Sequence, residues 1–513
     1  MRLSIIAALL LLLLPTVVDA EDISEADLRE HIEILANDDF GGRKPGTEGE
    51  NKTVSYIATE WKKAGLAPAA GSRSWYGPVA LVDRTPLKQT VIFTRANGTS
   101  SAQKSEKVIR IQEGELLLRG AMQFGALANA SIVHAGYASA SVEELEKSVS
   151  GKLAMLFLQS PDKSKELAGY QERKANLVAA GASGVITIIR SKSRFYRSAR
   201  RFRGASTSLD GQGLHAAVEG VISGKAAERL LRKARVDSKQ LAEQVERDGF
   251  LPIEVGVYAD ISVETRVRAY QSHNVVGKIA GKKPESGAVL FLGHWDHLGE
   301  CRREPATDRI CNGAVDNASG ISLLIETAKR LVKQQPDRDI YFLATTAEES
   351  GLLGAKAFAA DAGFPLERLV AVFNADTIAL SETGKIIAVV GRGETDLDED
   401  IEKVAAAQNR EIDTSDKANA FLKRQDGYVF LEKDIPAFMI TSAFSDQERL
   451  DAYLSGRYHD VSDELDEELL LGGAAADANF HVALGRYFAN IDSFPEKTSS
   501  IGAANSATNN TGE

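Results

Sequence analysis

Apolar residues follow two rhythms along this chain. Ala288 to Leu292 is a short, continuously apolar run closed by Gly293, the pattern of a strand covered on both faces in a parallel sheet. Ile321, Leu324, Ile325, Ala328, Leu331 and Val332 recur at i, i+3 and i+4 instead, which predicts an amphipathic helix stopped by Pro336. Ile340 to Leu343, Leu369 to Phe373, Ile386 to Val390 and Ala437 to Ile440 predict further strands. Alternation of this kind predicts an α/β fold, a sheet with helices on both faces.

The part before Asn274 has a different texture. Ser24 to about Ala70 reads as helical, with a turn at Gly41-Gly42-Arg43-Lys44-Pro45-Gly46 and with Tyr56, Ile57, Trp61 and Leu66 at helical spacing. From about Gln89 to Glu264 short β-like runs take over, such as Val91-Ile92-Phe93 and Ala154 to Leu158, and a helix plus strand is expected in Ala175 to Ile189. The basic stretch of Arg190, Lys192, Arg194, Arg197, Arg200, Arg201 and Arg203 is expected to be a solvated loop. These changes divide the chain into a leader at 1–20, an N-terminal part of the main domain at 21–94, an insert at 95–262, the main domain at 263–495 and a disordered Ser/Asn/Thr-rich tail at 496–513.

Composition adds exclusions. The chain has 513 residues, 43% hydrophobic and 26% charged, which rules out disorder for the whole and leaves room for two to three domains. A net charge of -11 argues against general attraction to nucleic acid or to an anionic membrane. Arg2, the apolar run Ile5 to Leu14 and the small residues around Val18-Asp19-Ala20 predict a cleaved secretory signal ending near Ala20. The run is too short to span a bilayer and no later segment approaches a transmembrane span. Export to a periplasmic or extracellular location is therefore the expectation. In such an oxidising compartment Cys301 and Cys311 can close a short disulfide loop, two separate buried thiols being the alternative.

Chemistry gathers at the carboxyl ends of the predicted strands, where functional residues of open α/β sheets collect. The first strand runs into Gly293-His294-Trp295-Asp296-His297, and the following loop carries Gly313-Ala314-Val315-Asp316-Asn317-Ala318-Ser319-Gly320. Thr346-Ala347-Glu348-Glu349-Ser350-Gly351 follows the next strand, then Asn374-Ala375-Asp376, and later Tyr458-His459-Asp460. Each piece alone is weak. Together they set two histidines and three carboxylates at successive strand ends, nitrogen and oxygen donors that suit a pair of zinc-like ions with one bridging carboxylate.

This combination, His294-x-Asp296, Gly-Ala-x-Asp316-Asn-Ala-Ser-Gly, Glu348-Glu349-Ser-Gly, Asn374-x-Asp376 and Tyr458-His459, resembles the M28 family of zinc aminopeptidases over Asn274 to about Asn490. The resemblance implies a mixed, mainly parallel sheet flanked by helices, and a di-zinc exopeptidase that takes N-terminal residues from peptide substrates. It implies two Zn²⁺, one on His294 and Asp376 and the other on Glu349 and His459, bridged by Asp316. It makes Glu348 the general base, Asp296 a carboxylate that orients the His294 imidazole, and Tyr458 a donor to the developing oxyanion. The insert resembles a protease-associated (PA), β-rich domain, through His134-Ala135-Gly136-Tyr137, Gly151-Lys152-Leu153 and Ala179-Ala180-Gly181-Ala182.

The chain departs from the family where Gln425-Asp426-Gly427 replaces a frequent Ser-Asp-His, and where Val315 replaces a common acidic residue. His297, His273, His31, His134, His215 and His481 read as structural or surface residues. A glutaminyl cyclase-type acyltransferase, a carboxypeptidase and a non-catalytic receptor-like descendant are the competing functions on the same fold. The retained ligand set with Glu348 favours the aminopeptidase.

Overall fold

The computed structural model describes residues 22–71, 73–95, 107–160, 167–211, 215–247 and 249–495. The expected leader and tail lie outside them. Two compact units make up the chain, one of residues up to Pro78 with those from Ser272 onward, the other Val79–Gln271. The borders fall inside two long strands, Tyr76–Arg95 and Ile253–Ile279. No loop-like composition marks such a border, which is why the sequence reading placed the edges of the insert at 95 and 262.

In the first unit, strand β1 (Ile253–Ile279) contributes its last residues. It is followed by β2 (Ala288–His294), β3 (Asp339–Thr345), β4 (Leu369–Asn374), β5 (Ile386–Val390), β6 (Glu411–Ile412) and β7 (Ala437–Thr441). The order across the sheet is β6-β5-β7-β4-β2-β3-β1. Pairs β2/β3, β2/β4, β4/β7 and β5/β6 are parallel, while β1/β3 and β5/β7 are antiparallel. This is the mixed, mainly parallel sheet expected.

Its strands read as unbroken apolar runs because both faces are covered. Val289, Phe291, Ile340, Phe342, Ala371 and Phe373 pack on one face against α1 (Glu25–Leu35), α2 (Glu48–Ala64), α3 (Ser319–Leu331) and α5 (Gly472–Phe488). The alternate residues Leu290, Leu292, Tyr341, Leu343 and Val372 pack on the other face against Phe358 of α4 (Leu353–Ala360) and Phe430. A side-chain period of two thus buries every position of the central strands. Register then aligns the strand ends: His294 pairs with Thr345, and Leu292 with Asn374.

The second unit is an α/β layer rather than strands alone. Phe124–His134, Leu153–Phe157, Gly184–Ile189 and Val218–Ser223 run parallel in that order, with helices such as Val142–Val149 and Tyr170–Ala179 between them. The basic stretch expected as a loop is a helix, Lys192–Phe202. The Ser191 hydroxyl caps it by accepting the Arg194 amide proton, and Phe195 and Ala199, four residues apart, anchor it in the core. The arginines obscured this periodicity because they occupy every other face.

A partly buried ion-pair network ties this layer together. Glu219 sits opposite Arg119 on the neighbouring strand and also accepts from Lys174. Burial alone would raise its carboxyl, but Lys174 and Arg119 outweigh burial and hold it down at about 2. A depressed carboxylate stabilises the fold above its unfolded value near 4.3 and loses that contribution as pH falls towards 2. We therefore expect Glu219→Gln to lower stability by roughly 2 kcal/mol at pH 7, with the gap from the parent closing between about pH 4.5 and 2. Equilibrium unfolding of both proteins across that range measures it; a gap independent of pH would contradict the pairing.

Candidate metal centre

Ordinary strand ends become a site here because buried polar side chains bind the loops that follow them. The Asn317 amide donates to the carbonyls of His294 at 3.3 Å and Ala375 at 2.9 Å, and its oxygen accepts the amide protons of Gly320 and Thr377. One side chain thus joins the ends of β2 and β4 to the start of α3. Asp463, fully buried, accepts the backbone protons of Val315 at 3.0 Å and Asp316 at 3.2 Å and the hydroxyl of Tyr453 at 3.0 Å. Arg43, 1% exposed, donates to the carbonyls of Trp295, Leu35, Asn312, Gly313 and Asp316.

The side chains so positioned converge. Asp316 turns Oδ1 to His294 Nε2 at 3.2 Å and Oδ2 to His459 Nε2 at 3.3 Å. Asp376 Oδ1 lies 3.5 Å from His294 Nε2, and Glu349 Oε2 lies 2.9 Å from His459 Nε2. His294, Asp316 and Asp376 form one group able to hold a cation; His297, Asp316 and Glu349 form another. All five side chains singled out from the strand ends therefore meet, with His297 added.

Backbone conformation contributes. Ala347, just before Glu348, has φ 52°, Thr377, just after Asp376, has φ 55°, and His459 itself has φ 60°. Left-handed conformations in residues with a Cβ are unfavourable unless the surroundings impose them. Their clustering at this one place marks it as constrained.

The remaining expected residues sit in the same place with altered contacts. Asp296 was expected to orient His294 by its carboxylate. Its carboxylate is 3.9 Å from His294 Nδ1, whereas its backbone oxygen is 3.0 Å away and makes that contact. The carboxylate instead accepts the Glu348 amide proton at 3.0 Å. The Tyr458 ring stacks on His459 at 3.8 Å between centroids, and its hydroxyl accepts from Arg424 at 3.3 Å. At Gly427 a Cβ would lie 2.7 Å from Gln425 Oε1, the atom that accepts the Gly427 amide proton. The Gln425 side chain occupies the space that a histidine at position 427 would need. Asp426 accepts the Thr345 hydroxyl proton, and burial pushes its carboxyl up to about 6.

Charge explains what the cluster is suited to hold. Burial alone would lower the histidines, but Asp316 and Glu349 hold the His459 imidazole up at about 10. Glu348, Asp376 and Asp316 likewise raise His294 against burial. Burial, with Glu349 and Asp426 nearby, raises Glu348. Such a concentration of carboxylates attracts positive charge, and a cation would replace the protons. The geometry agrees: His459 Nε2 is 2.9 Å from a Glu349 oxygen yet lacks a hydrogen-bond partner among the described residues. Donor atoms that face a common point rather than each other are arranged as ligands, and nitrogen with oxygen donors fits zinc.

Residues 274–481, less than half of the chain, match the model of peptidase family M28. The fold is similar to that of the aminopeptidase from Aneurinibacillus sp. strain AM-1, with a TM-score of 0.54 and 18% identity over 91% of this chain and 94% of that one. Two curated relatives are named vacuolar membrane protease. That of Lachancea thermotolerans is 35% identical over 102 residues, 20% of this chain and 10% of the relative. That of Kluyveromyces lactis is 33% identical over 110 residues, 21% of this chain and 11% of the relative. The matched part thus spans about a tenth of these relatives. The vacuolar membrane for which these relatives are named overturns the expected periplasmic or extracellular location, which rested on a leader outside the described residues. No helix among the described residues is long and apolar enough to cross a membrane.

Arg43 offers a test of this framework. Lysine keeps its charge but presents a point donor instead of a planar fork, so it cannot serve carbonyls on several sides. Arg43→Lys is expected to lower unfolding stability by roughly 2–4 kcal/mol through unsatisfied buried carbonyls, and Arg43→Met by more. Denaturant unfolding of the metal-free proteins reads this. A loss under about 0.5 kcal/mol for lysine, the level of an ordinary surface change, would show that charge alone matters there.

Proposed function

We propose that this chain is a di-zinc aminopeptidase that hydrolyses N-terminal residues from peptides. The observation that carries the reading is Asp316, whose two carboxylate oxygens face separate sets of donors, His294 with Asp376 on one side and His459 with Glu349 on the other. In this reading His294, Asp316 and Asp376 hold one zinc, and Asp316, Glu349 and His459 the other. The ions would polarise the scissile carbonyl and lower the pKa of water towards neutrality.

The chain's own residues do the rest. Glu348 is the general base: it takes a proton from the attacking water and returns it to the leaving amine. Its backbone is held by Asp296, which accepts the Glu348 amide proton. The Tyr458 oxygen already accepts from Arg424, so its own proton remains to donate to the substrate oxygen as negative charge develops there. We read the unit Val79–Gln271 as the PA-like insert. Cleavage of aminoacyl-nitroanilides, with N-blocked peptides left intact and N-terminal glutamine peptides not cyclised, tests the substrate class; cyclisation of the glutamine peptide would favour the acyltransferase instead.

Two substitutions probe the roles. Glu348→Gln should keep two metals per chain, by elemental analysis, while kcat falls about 10²–10⁴-fold. Near-parental kcat in the metal-replete variant removes Glu348 from the role of base. Asp316→Ala should lose both metals, since one carboxylate would otherwise neutralise two cations only about 3.5–4 Å apart. Two tightly held metals in Asp316→Ala would refute the bridge.

A further inference from the structure

His297 has no role in the reading above, and its surroundings do not suit a passive residue. Its side chain is fully buried, and neither ring nitrogen has a hydrogen-bond partner among the described residues. A buried polar group left unpaired costs about 1–3 kcal/mol, so such a position calls for a partner. The ring is nonetheless held firmly. The His297 amide donates to the Arg43 carbonyl at 3.3 Å, and Gly313 packs so closely that a Cβ there would lie 2.7 Å from the imidazole carbons.

The ring faces the cluster. Nδ1 lies 2.9 Å from Glu349 Oε1 and 3.9 Å from Asp316 Oδ2, and the rings of His297 and His459 are 5.6 Å apart, edge to face. The Nδ1–Glu349 separation is short without hydrogen-bond geometry, the same relation that His459 Nε2 has to that carboxylate. Donors around a tetrahedral ion bound at 2.0–2.1 Å stand about 3.3 Å apart. The separations among His297, His459, Glu349 and Asp316, from 2.9 to 3.9 Å, bracket that value.

We propose that His297 Nδ1 is a fourth protein ligand of the second cation, beside Asp316, Glu349 and His459. This rests on the di-metal reading and makes its two sites unequal. The His294 site has one nitrogen and two carboxylates and keeps an open position; the His297 site has two nitrogens and two carboxylates and is closed by protein. Catalytic zinc sites keep a position free, whereas sites filled by four protein ligands hold the ion in place. With ions bound, the open position beside His294 and Asp376 would be the one left for a substrate oxygen, and the four protein ligands would keep the other ion more tightly.

The test needs no turnover. The metal-free chain is titrated with Co²⁺, with bound cobalt counted by equilibrium dialysis and its environment read from visible absorption. The parent should bind two ions of unequal affinity. His297→Ala should bind the tighter one at least about 10²-fold more weakly, a loss at or beyond the upper end for disturbing a residue that only supports a ligand, with a changed spectrum. His297→Cys puts a thiolate near the position of Nδ1 and should show a sulfur-to-cobalt charge-transfer band, which a residue outside the coordination sphere would not produce. A parental spectrum in His297→Ala, at any affinity, overturns the assignment and leaves the di-metal reading standing. Fewer than two cobalt ions in the parent overturns both. Should His297→Ala fail to fold, by circular dichroism, the cysteine variant decides alone: the band supports ligation and its absence overturns it.

Discussion

The structure depends on keeping several carboxylates together out of water. Asp296, Asp316, Glu348, Glu349, Asp376 and Asp426 lie buried or half-buried around the same few strand ends. Like charges at such spacing destabilise the chain unless opposite charge is supplied. Arg43 supplies part of it without touching a carboxylate. Its donors all go to backbone carbonyls, while its charge is felt by Asp316, Asp463, Asp296 and Glu349. Burial lowers the Arg43 guanidinium only to about 10, so it stays charged at neutral pH. An arginine bonded directly to Asp316 would compete with a metal for the same oxygens. Placed behind the loop, it balances charge and leaves the donor atoms free.

The same division of labour runs through the site. Residues facing the cluster present donors, and a second set, Arg43, Asn317 and Asp463, holds backbone. Asn317 and Asp463 have every bond directed at main-chain groups or at Tyr453. Loops are usually the mobile part of an α/β protein. Here their backbone groups are satisfied by buried side chains, and the left-handed residues Ala347, Thr377 and His459 are held in place by that framework.

How much of this could be read from the sequence follows from which signals are local. The central strands and α3 were legible because burial on two faces leaves an unbroken apolar run, and one buried stripe leaves a helical period. His294, Glu349 and Asp376 were legible because they lie at or just past the ends of those runs, Asp316 because it stands just before the helical period, and His459 by resemblance. His297 reads as a structural or surface residue because a histidine three residues past a candidate ligand carries no pattern of its own; it gains meaning only when the turn folds it back towards Glu349. Arg43 was noted as part of a glycine-rich turn, but its bonds reach residues 252 to 273 positions away as well as Leu35. The helix Lys192–Phe202 was hidden because only Phe195, Ala199 and the partly buried Phe202 mark its inner face among many arginines. The unit borders were hidden inside continuous strands.

The loop between His294 and Asp316 shows why so distant a segment is needed. It is long, its two ends carry metal-binding residues, and it contains a two-stranded pairing of Gly299–Glu300 with Ile310–Cys311, tied by the disulfide Cys301–Cys311. The bridge limits the loop internally but does not attach it to anything. Attachment comes from the turn before α2: Gly42, at φ 62°, lies so close that a Cβ would collide with the Cys311 carbonyl oxygen and stand 2.8 Å from Gly299 Cα. Only glycine permits that approach at that backbone angle. The turn so seated delivers Arg43 to the Asn312 and Gly313 carbonyls on one side and Trp295 on the other. A segment some 250 residues upstream therefore helps to complete the site, because its arginine reaches both ends of the loop. The disulfide limits the loop internally, and the Gly42-Arg43 turn fixes where that loop stands relative to His294 and Asp316.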